Sequence, residues 1–132
     1  MTREFIHRII NILNEVQVEY VITGSVSKYF RGLSISTMDL DIVVQTTENN
    51  LSKIDQLKYN FKKGQISDEL RKGQIVRINE FPFRFDLLPR LDGLTNDEIF
   101  RNREQMNFEN QIIPIISESN LITNYQSFKQ NE

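Results

Sequence analysis

The sequence predicts an α/β fold, a small mixed β-sheet flanked by helices, in a single domain spanning 1–132. Two patterns and one size argument carry this expectation. Apolar residues recur at helical spacing near both ends of the chain, and short apolar runs with period-two alternation lie between them. At 132 residues with 39% hydrophobic content and nine Phe, the chain supports one core.

The elements follow in order. Phe5, Ile6, Ile9, Ile10, Ile12, Leu13 and Val16 form one stripe after the cap residue Thr2, a core-facing first helix. His7, the only histidine, falls outside that stripe and is expected at the solvated surface. An apolar stretch, Val18 to Ile22, leads to Gly24 and Ser25, and Val26 to Arg31 opens a short helix. Leu40, Ile42, Val43 and Val44 make the next strand. Thr46 or Thr47 then caps a helix whose Leu51, Ile54, Leu57 and Phe61 face inward, closed favourably by Lys58, Lys62 and Lys63.

Gly64 and Gly73 bracket a short helix beginning near Ser67 and Asp68. Ile75 to Ile78 and Phe83 to Leu88 read as a hairpin through Asn79, Glu80, Phe81 and Pro82. Thr95 with Glu98 makes a capping box for a helix carrying Ile99 and Phe100. Ile112 to Ile116 reads as a last strand, at an edge because Pro114 lacks a donor. Ser117 then caps a helix with Leu121, Ile122, Tyr125 and Phe128 at helical spacing.

Chemistry concentrates in three acidic residues. Asp39 and Asp41 alternate with Leu40 and Ile42, so both carboxylates project from one face of a strand while the apolar pair enters the core. Adjacent carboxylates repel unless they are solvated or share a cation, and Mg²⁺ favours a few carboxylate oxygens with room left for phosphates. An Asp, residue, Asp pattern is also common at exposed strand ends. Asp86 sits among Phe83, Phe85, Leu87 and Leu88, where an unpaired charge is costly. Its simplest partner is Arg84 on the same face. Gly24 and Ser25, between a strand and a helix, suit a phosphate, since glycine admits close backbone approach and the hydroxyl donates; an ordinary turn has the same composition.

Gly24, Ser25, Thr37, Asp39, Asp41 and Asp86, in that order and spacing, resemble the nucleotidyltransferase superfamily of DNA polymerase beta. More narrowly, Gly24, Ser25, Ser27, Gly32, Thr37, Asp39 and Asp41 resemble the abortive-infection toxin type and the minimal nucleotidyltransferases of toxin and antitoxin pairs. The segment Pro114 to Ile122 is similar to the closing strand and helix of that type.

The resemblance implies a nucleotidyltransferase-like fold. It implies two Mg²⁺ ions held by Asp39, Asp41 and Asp86, and a nucleoside triphosphate cradled by Gly24, Ser25, Lys28 and Thr37. The implied reaction moves a nucleoside monophosphate to a hydroxyl on a protein, an RNA or a small molecule. Its setting would be toxin–antitoxin or phage defence, with a toxin or antitoxin as partner.

The chain departs from the pattern at Ile35, where relatives carry an arginine that Lys28 or Arg31 would replace. It departs also at Met38 in place of a serine and at Tyr125 in place of a lysine. Relatives continue into further helix after the last one, so part of a substrate-binding surface is expected to be missing. A catalytically silent partner protein is the alternative these departures favour. A two-metal nuclease is a third, which the Gly24 and Ser25 junction opposes.

Composition narrows the remaining classes. A net charge of −2 gives no broad basic footprint, so no extended duplex DNA surface is expected. No cysteine, long apolar run or leader pattern is present, and a cytoplasmic protein without membrane association is the expectation.

Overall fold

The computed structural model describes residues 1–32 and 37–130. Helix α1 (Arg3–Glu15) starts where the Thr2 side chain accepts from the Phe5 N–H and buries the expected stripe, Phe5, Ile6, Ile9, Ile10 and Leu13. Strand β1 (Tyr20–Thr23) runs directly into helix α2 (Gly24–Phe30), and β2 (Asp39–Val44) returns antiparallel to β1. Helices α3 (Glu48–Ile54) and α4 (Gln65–Arg71) carry the chain across to the hairpin of β3 (Val76–Glu80) and β4 (Phe83–Leu88). Helix α5 (Asn96–Arg101), hairpin β5 (Glu104–Phe108) with β6 (Gln111–Ile115), and helix α6 (Glu118–Gln130) complete it.

The six strands form one mixed sheet in the order β3-β4-β2-β1-β6-β5. The pairs β2/β4 and β1/β6 are parallel and the rest antiparallel. Alternation splits the side chains between two layers. On one face Tyr20, Ile22, Leu40, Ile42, Val44, Phe85 and Leu87 pack with α1, α3 and α4 in the larger core. On the other, Val21 and Val43 meet Ile99 and Phe100 of α5 and Leu121 of α6. Asp41 and Thr23 share this second face with Val43 and Val21. The acidic residues therefore belong to the thinner layer.

Several expectations hold in detail. Thr47 caps α3, Thr95 and Glu98 form a reciprocal capping box, and the Ser117 hydroxyl accepts from the Asn120 N–H at 3.1 Å at the start of α6. His7 is only half-buried, its Nδ1 3.6 Å from a Glu109 carboxylate oxygen.

Others change. Helix α3 stops at Ile54, because the chain tightens there, with the Leu57 N–H donating to the Ile54 carbonyl at 3.0 Å and the Asp55 carboxylate accepting from the Ser67 N–H of α4. Lys58, Lys62 and Lys63 consequently lie in the connecting loop, and none closes α3. The β3–β4 turn is only Phe81 and Pro82, joined by a cis peptide, so β3 runs on through Glu80. Strand β6 is not an edge: it lies between β1 and β5, a strand the sequence reading had not assigned. Pro114 is tolerated because β1 meets β6 in register only at Ile22 with Ile115, too short a ladder for one missing donor to break it.

In the α6 stripe Leu121 is buried, whereas Ile122, Tyr125 and Phe128 are exposed. Among the described residues no helix is long and apolar enough to cross a membrane.

Asn50 fastens β1 to the end of β2. Its Oδ1 accepts from the Glu19 N–H at 2.7 Å, and its Nδ2 donates to the carbonyls of Glu19 and Gln45 at 3.0 and 2.7 Å. Asn50→Ala leaves these groups without that side-chain partner, and urea denaturation is expected to show a loss of about 2–3 kcal/mol.

Candidate functional site

The parallel pairing of β2 with β4 sets Asp41 beside Asp86 and Asp39 beside Arg84, while β1 brings Thr23 against Asp41 from the other side. Three strands thus deliver the two motif aspartates, the third aspartate and the start of α2 to one place. Asp86 is buried, and Asp39 and Asp41 are half-buried.

Gly24 is shaped by this convergence. Its φ is +68°, and a Cβ built there would lie 2.5 Å from Asp41 Oδ2. Only glycine allows the carboxylate to rest against the backbone in this conformation. Its carbonyl accepts from the Ser27 hydroxyl at 2.6 Å. Ser25 lies within the first turn of α2, whose N-cap position is taken by Thr23 without a side-chain capping bond. The Thr23 hydroxyl is buried and has no hydrogen-bond partner among the described residues.

Two arginines neutralise the carboxylates. Arg84 donates from Nη2 to Asp39 Oδ2 at 2.9 Å, while its buried Nε, 2.8 Å from Asp39 Oδ1 and 3.8 Å from Asp86 Oδ1, makes no hydrogen bond among the described residues. Arg77, next to Asp86 across the hairpin, places Nε 3.8 Å from Asp86 Oδ2. The expected Arg84–Asp86 pairing is therefore a loose contact, and the close partner of Arg84 is Asp39. Asp86 Oδ1 is buried without a hydrogen bond.

The electrostatics follow from burial and crowding. Burial, then the charges of Asp86 and Asp39, push the Asp41 carboxyl up to about 6, against the opposing pull of Arg84 and Arg77. Burial also raises Asp86, partly offset by the same two arginines. Arg84 and Asp39 line a cavity of about 320 Å³ with Met38 and Phe83, and Arg77 lines one of about 600 Å³ with Leu88, Arg90, Asn124 and Phe128.

The remaining residues singled out in the sequence hold the frame. The Thr37 hydroxyl accepts from the Asp39 N–H at 3.2 Å and is 3.3 Å from its carbonyl, so it anchors the start of β2. Lys28 places Nζ 4.4 Å from the centroid of the Tyr125 ring, a cation–π contact joining α2 to α6. Arg31 is committed elsewhere, donating to the Ile116 carbonyl at 2.6 Å and pairing with Glu104 at 3.0 Å. Of the two cations available to replace the arginine missing at Ile35, Lys28 is the one not tied to a carboxylate among the described residues, and it lies on α2 about one turn after Gly24. Ile35 itself lies outside the described residues.

The donor set fits a hard divalent cation in kind and in position along the sheet. Three carboxylates share one face, one of them has an orphaned oxygen, and a glycine makes room for another. It does not fit in present spacing, since among the described residues no group of three His, Asp or Glu side chains is gathered closely enough to hold a metal ion. Arg84 occupies the carboxylate of Asp39. Arg77 is the residue that sequence reasoning missed, because its role depends on which residues form the turn.

No protein-family model and no curated protein matches this chain. Among solved structures, the crystal structure of a "putative nucleotidyltransferase (TM1012)" from Thermotoga maritima is similar over 99% of this chain and 86% of that one, with a TM-score of 0.61 and 15% identity. At that identity the likeness concerns the fold, which is nucleotidyltransferase-like.

The raised carboxyl of Asp41 has a defined consequence for the metal-free protein. The folded state keeps this proton over the interval from 3.8, the ordinary value, to about 6, while an unfolded chain loses it. This group therefore lowers stability as pH rises through that window and not above it. Asp41→Asn is expected to flatten the trend and, at pH 8, to be about 1–2 kcal/mol more stable than wild type after allowance for solvent screening, as urea denaturation at pH 5 and pH 8 would read. Gly24→Ala is expected to cost about 1–3 kcal/mol in the same assay.

Proposed function

We propose that this protein is a Mg²⁺-dependent nucleotidyltransferase that moves a nucleoside monophosphate from a triphosphate to a hydroxyl acceptor. The observation that carries the proposal is the register of Asp41 with Asp86, beside Gly24, on a nucleotidyltransferase-like sheet. A structural ion-pair network needs no third carboxylate with an orphaned oxygen, and perturbed titration in a charged cluster is typical of functional sites.

Asp39, Asp41 and Asp86 would hold two Mg²⁺ ions, which supply charge stabilisation for the attacking and leaving oxygens of an in-line displacement. Asp86 is suited to accept the proton of the acceptor hydroxyl, because burial disfavours its ionised form and leaves one oxygen free. Gly24 and Ser25 give the outer phosphates close access to backbone and hydroxyl. Lys28, stacked on Tyr125 and about one turn along α2 from Gly24, would supply a cation to the phosphates. The acceptor is a protein, an RNA or a small molecule, and a toxin–antitoxin or phage-defence setting is the role we assign.

A second reading is a silent member of the same fold that works as a binding partner, an antitoxin-like module. Arg84 on Asp39 and the exposed Ile122, Tyr125 and Phe128 of α6 favour it. The two separate cleanly by experiment.

Labelled nucleoside triphosphate with Mg²⁺ is expected to yield a labelled acceptor and pyrophosphate, with Asp39→Asn or Asp86→Asn lowering both by a factor of about 10³ or more. A wild-type protein that binds no triphosphate at millimolar concentration overturns the enzyme. Neutralisation of a partner by Asp41→Asn as potent as that by wild type would establish the second reading.

A further inference from the structure

Beyond the acidic cluster, the cavity of about 600 Å³ is walled by the entry to β3, the end of β4, the loop that follows and the later turns of α6. Phe128 follows the buried Leu121 by about two helical turns, so it shares the inward face of α6. It is nevertheless 57% exposed, and Ile75, which lines the same cavity, is 48% exposed. The helix is held in this position: Asn124 Nδ2 donates to the Asp92 carbonyl at 2.9 Å, and Ser127 packs so closely on Gly93 that a Cβ there would overlap it. Two arginines complete the lining with little to engage them. Arg77 reaches Asp86 and Arg90 reaches Asp92 only at 3.8 Å, too far for a hydrogen bond, and both guanidinium side chains are mostly exposed.

We propose that this cleft docks an acidic segment of a partner protein, with an apolar side chain seated beside Ile75 and Phe128 and neighbouring carboxylates on Arg77 and Arg90. An aliphatic and aromatic centre rimmed by arginine has the composition of a protein interface, and a guanidinium without a hydrogen-bonded carboxylate of its own favours one brought by the partner. Charge also decides against other occupants. A second copy meeting this face across a two-fold axis would bring the same arginines from both sides. A nucleic-acid strand calls for a line of cations and several stacking rings, whereas Phe128 is the one aromatic side chain in the lining among the described residues and the chain carries a net charge of −2. The inference goes beyond the transfer reaction, since neither metal nor nucleotide takes part in it.

Phage-displayed random peptides of about twelve residues are selected on the wild-type protein, and the tightest is synthesised with a fluorophore for anisotropy titration. The enriched sequences are expected to place Asp or Glu within a few residues of Leu, Ile, Met or Phe. Phe128→Ser and Arg90→Glu are each expected to weaken that peptide at least about tenfold, and Ile122→Ser, exposed on α6 outside the cleft, to leave it unchanged. Exchanging the acidic residues of the peptide for lysine is expected to abolish binding to wild type and to restore it to Arg90→Glu. A peptide that merely adheres to apolar surface would show no such reciprocity.

Thermal unfolding checks that each variant is folded, and if Phe128→Ser is not, Ile75→Ser takes its place. A selection that enriches no acidic peptide, or binding indifferent to the cleft variants, overturns the proposal. A fluorescein-labelled single-stranded RNA that binds wild type but not Arg90→Glu, with no peptide bound, overturns it in favour of nucleic acid. A wild-type dimer in sedimentation that Phe128→Ser dissociates overturns it in favour of a second copy. None of these outcomes touches triphosphate transfer at the aspartates, so the two proposals stand or fall separately.

Discussion

Asp41 and Asp86 lie side by side on parallel strands, one half-buried and the other buried, and like charges so placed repel strongly in a poorly solvated setting. Much of the surrounding structure follows from that juxtaposition. Gly24 lacks a side chain where the Asp41 carboxylate needs the space, and Thr37 ties down the backbone from which Asp39 projects. Arg77 arrives from the far strand of the hairpin and Arg84 from β4 itself, one to each outer edge of the cluster. The sheet order places β2 between β1 and β4, so the strand with two carboxylates is flanked by the strand leading to Gly24 and the strand bearing Asp86. A different order of the same strands would scatter these groups.

Much of this was legible in the sequence because it depends on local signals. The α1 stripe, the Thr2 and Thr47 caps and the Thr95–Glu98 box each sit within a few residues of their partners, where spacing alone identifies them. The acidic trio was legible too, since charge in an apolar strand demands an explanation wherever the strand lies. Strand β5 was not. Glu104, Gln105 and Asn107 carry almost no apolar alternation, and the segment becomes a strand only because β6 offers it a partner. The status of β6 then depended on β5, and so the Pro114 argument misplaced it.

The arginines show how a small local error changes chemistry. A four-residue turn from Asn79 to Pro82 would set Arg77 opposite Arg84, whereas the two-residue turn at Phe81 and Pro82 sets it opposite Asp86. Moving the centre of a hairpin by half a residue shifts the cross-strand partner by one position, and by half a residue more it would turn an attraction into a repulsion. The pairing of Arg84 with Asp39 was beyond local reading for another reason: the residues are 45 apart, and only the β2/β4 register brings them together. The contact between Lys28 and Tyr125 is similar, a departure from the family pattern that acquires meaning once α2 and α6 are seen to touch.

The parallel junction of β2 and β4 also bears on the order of assembly. Parallel neighbours cannot be joined by a tight turn, and here the crossover includes α3, α4 and the whole of β3. Closing so long a loop is entropically slow compared with zipping the β3/β4 or β5/β6 hairpins, whose partners are close in sequence. The cluster of Asp39, Asp41 and Asp86 is thus among the last features to exist as the chain folds. Partly folded chains present scattered aspartates with ordinary solvation, and any ligand that requires all three carboxylates selects completed molecules alone.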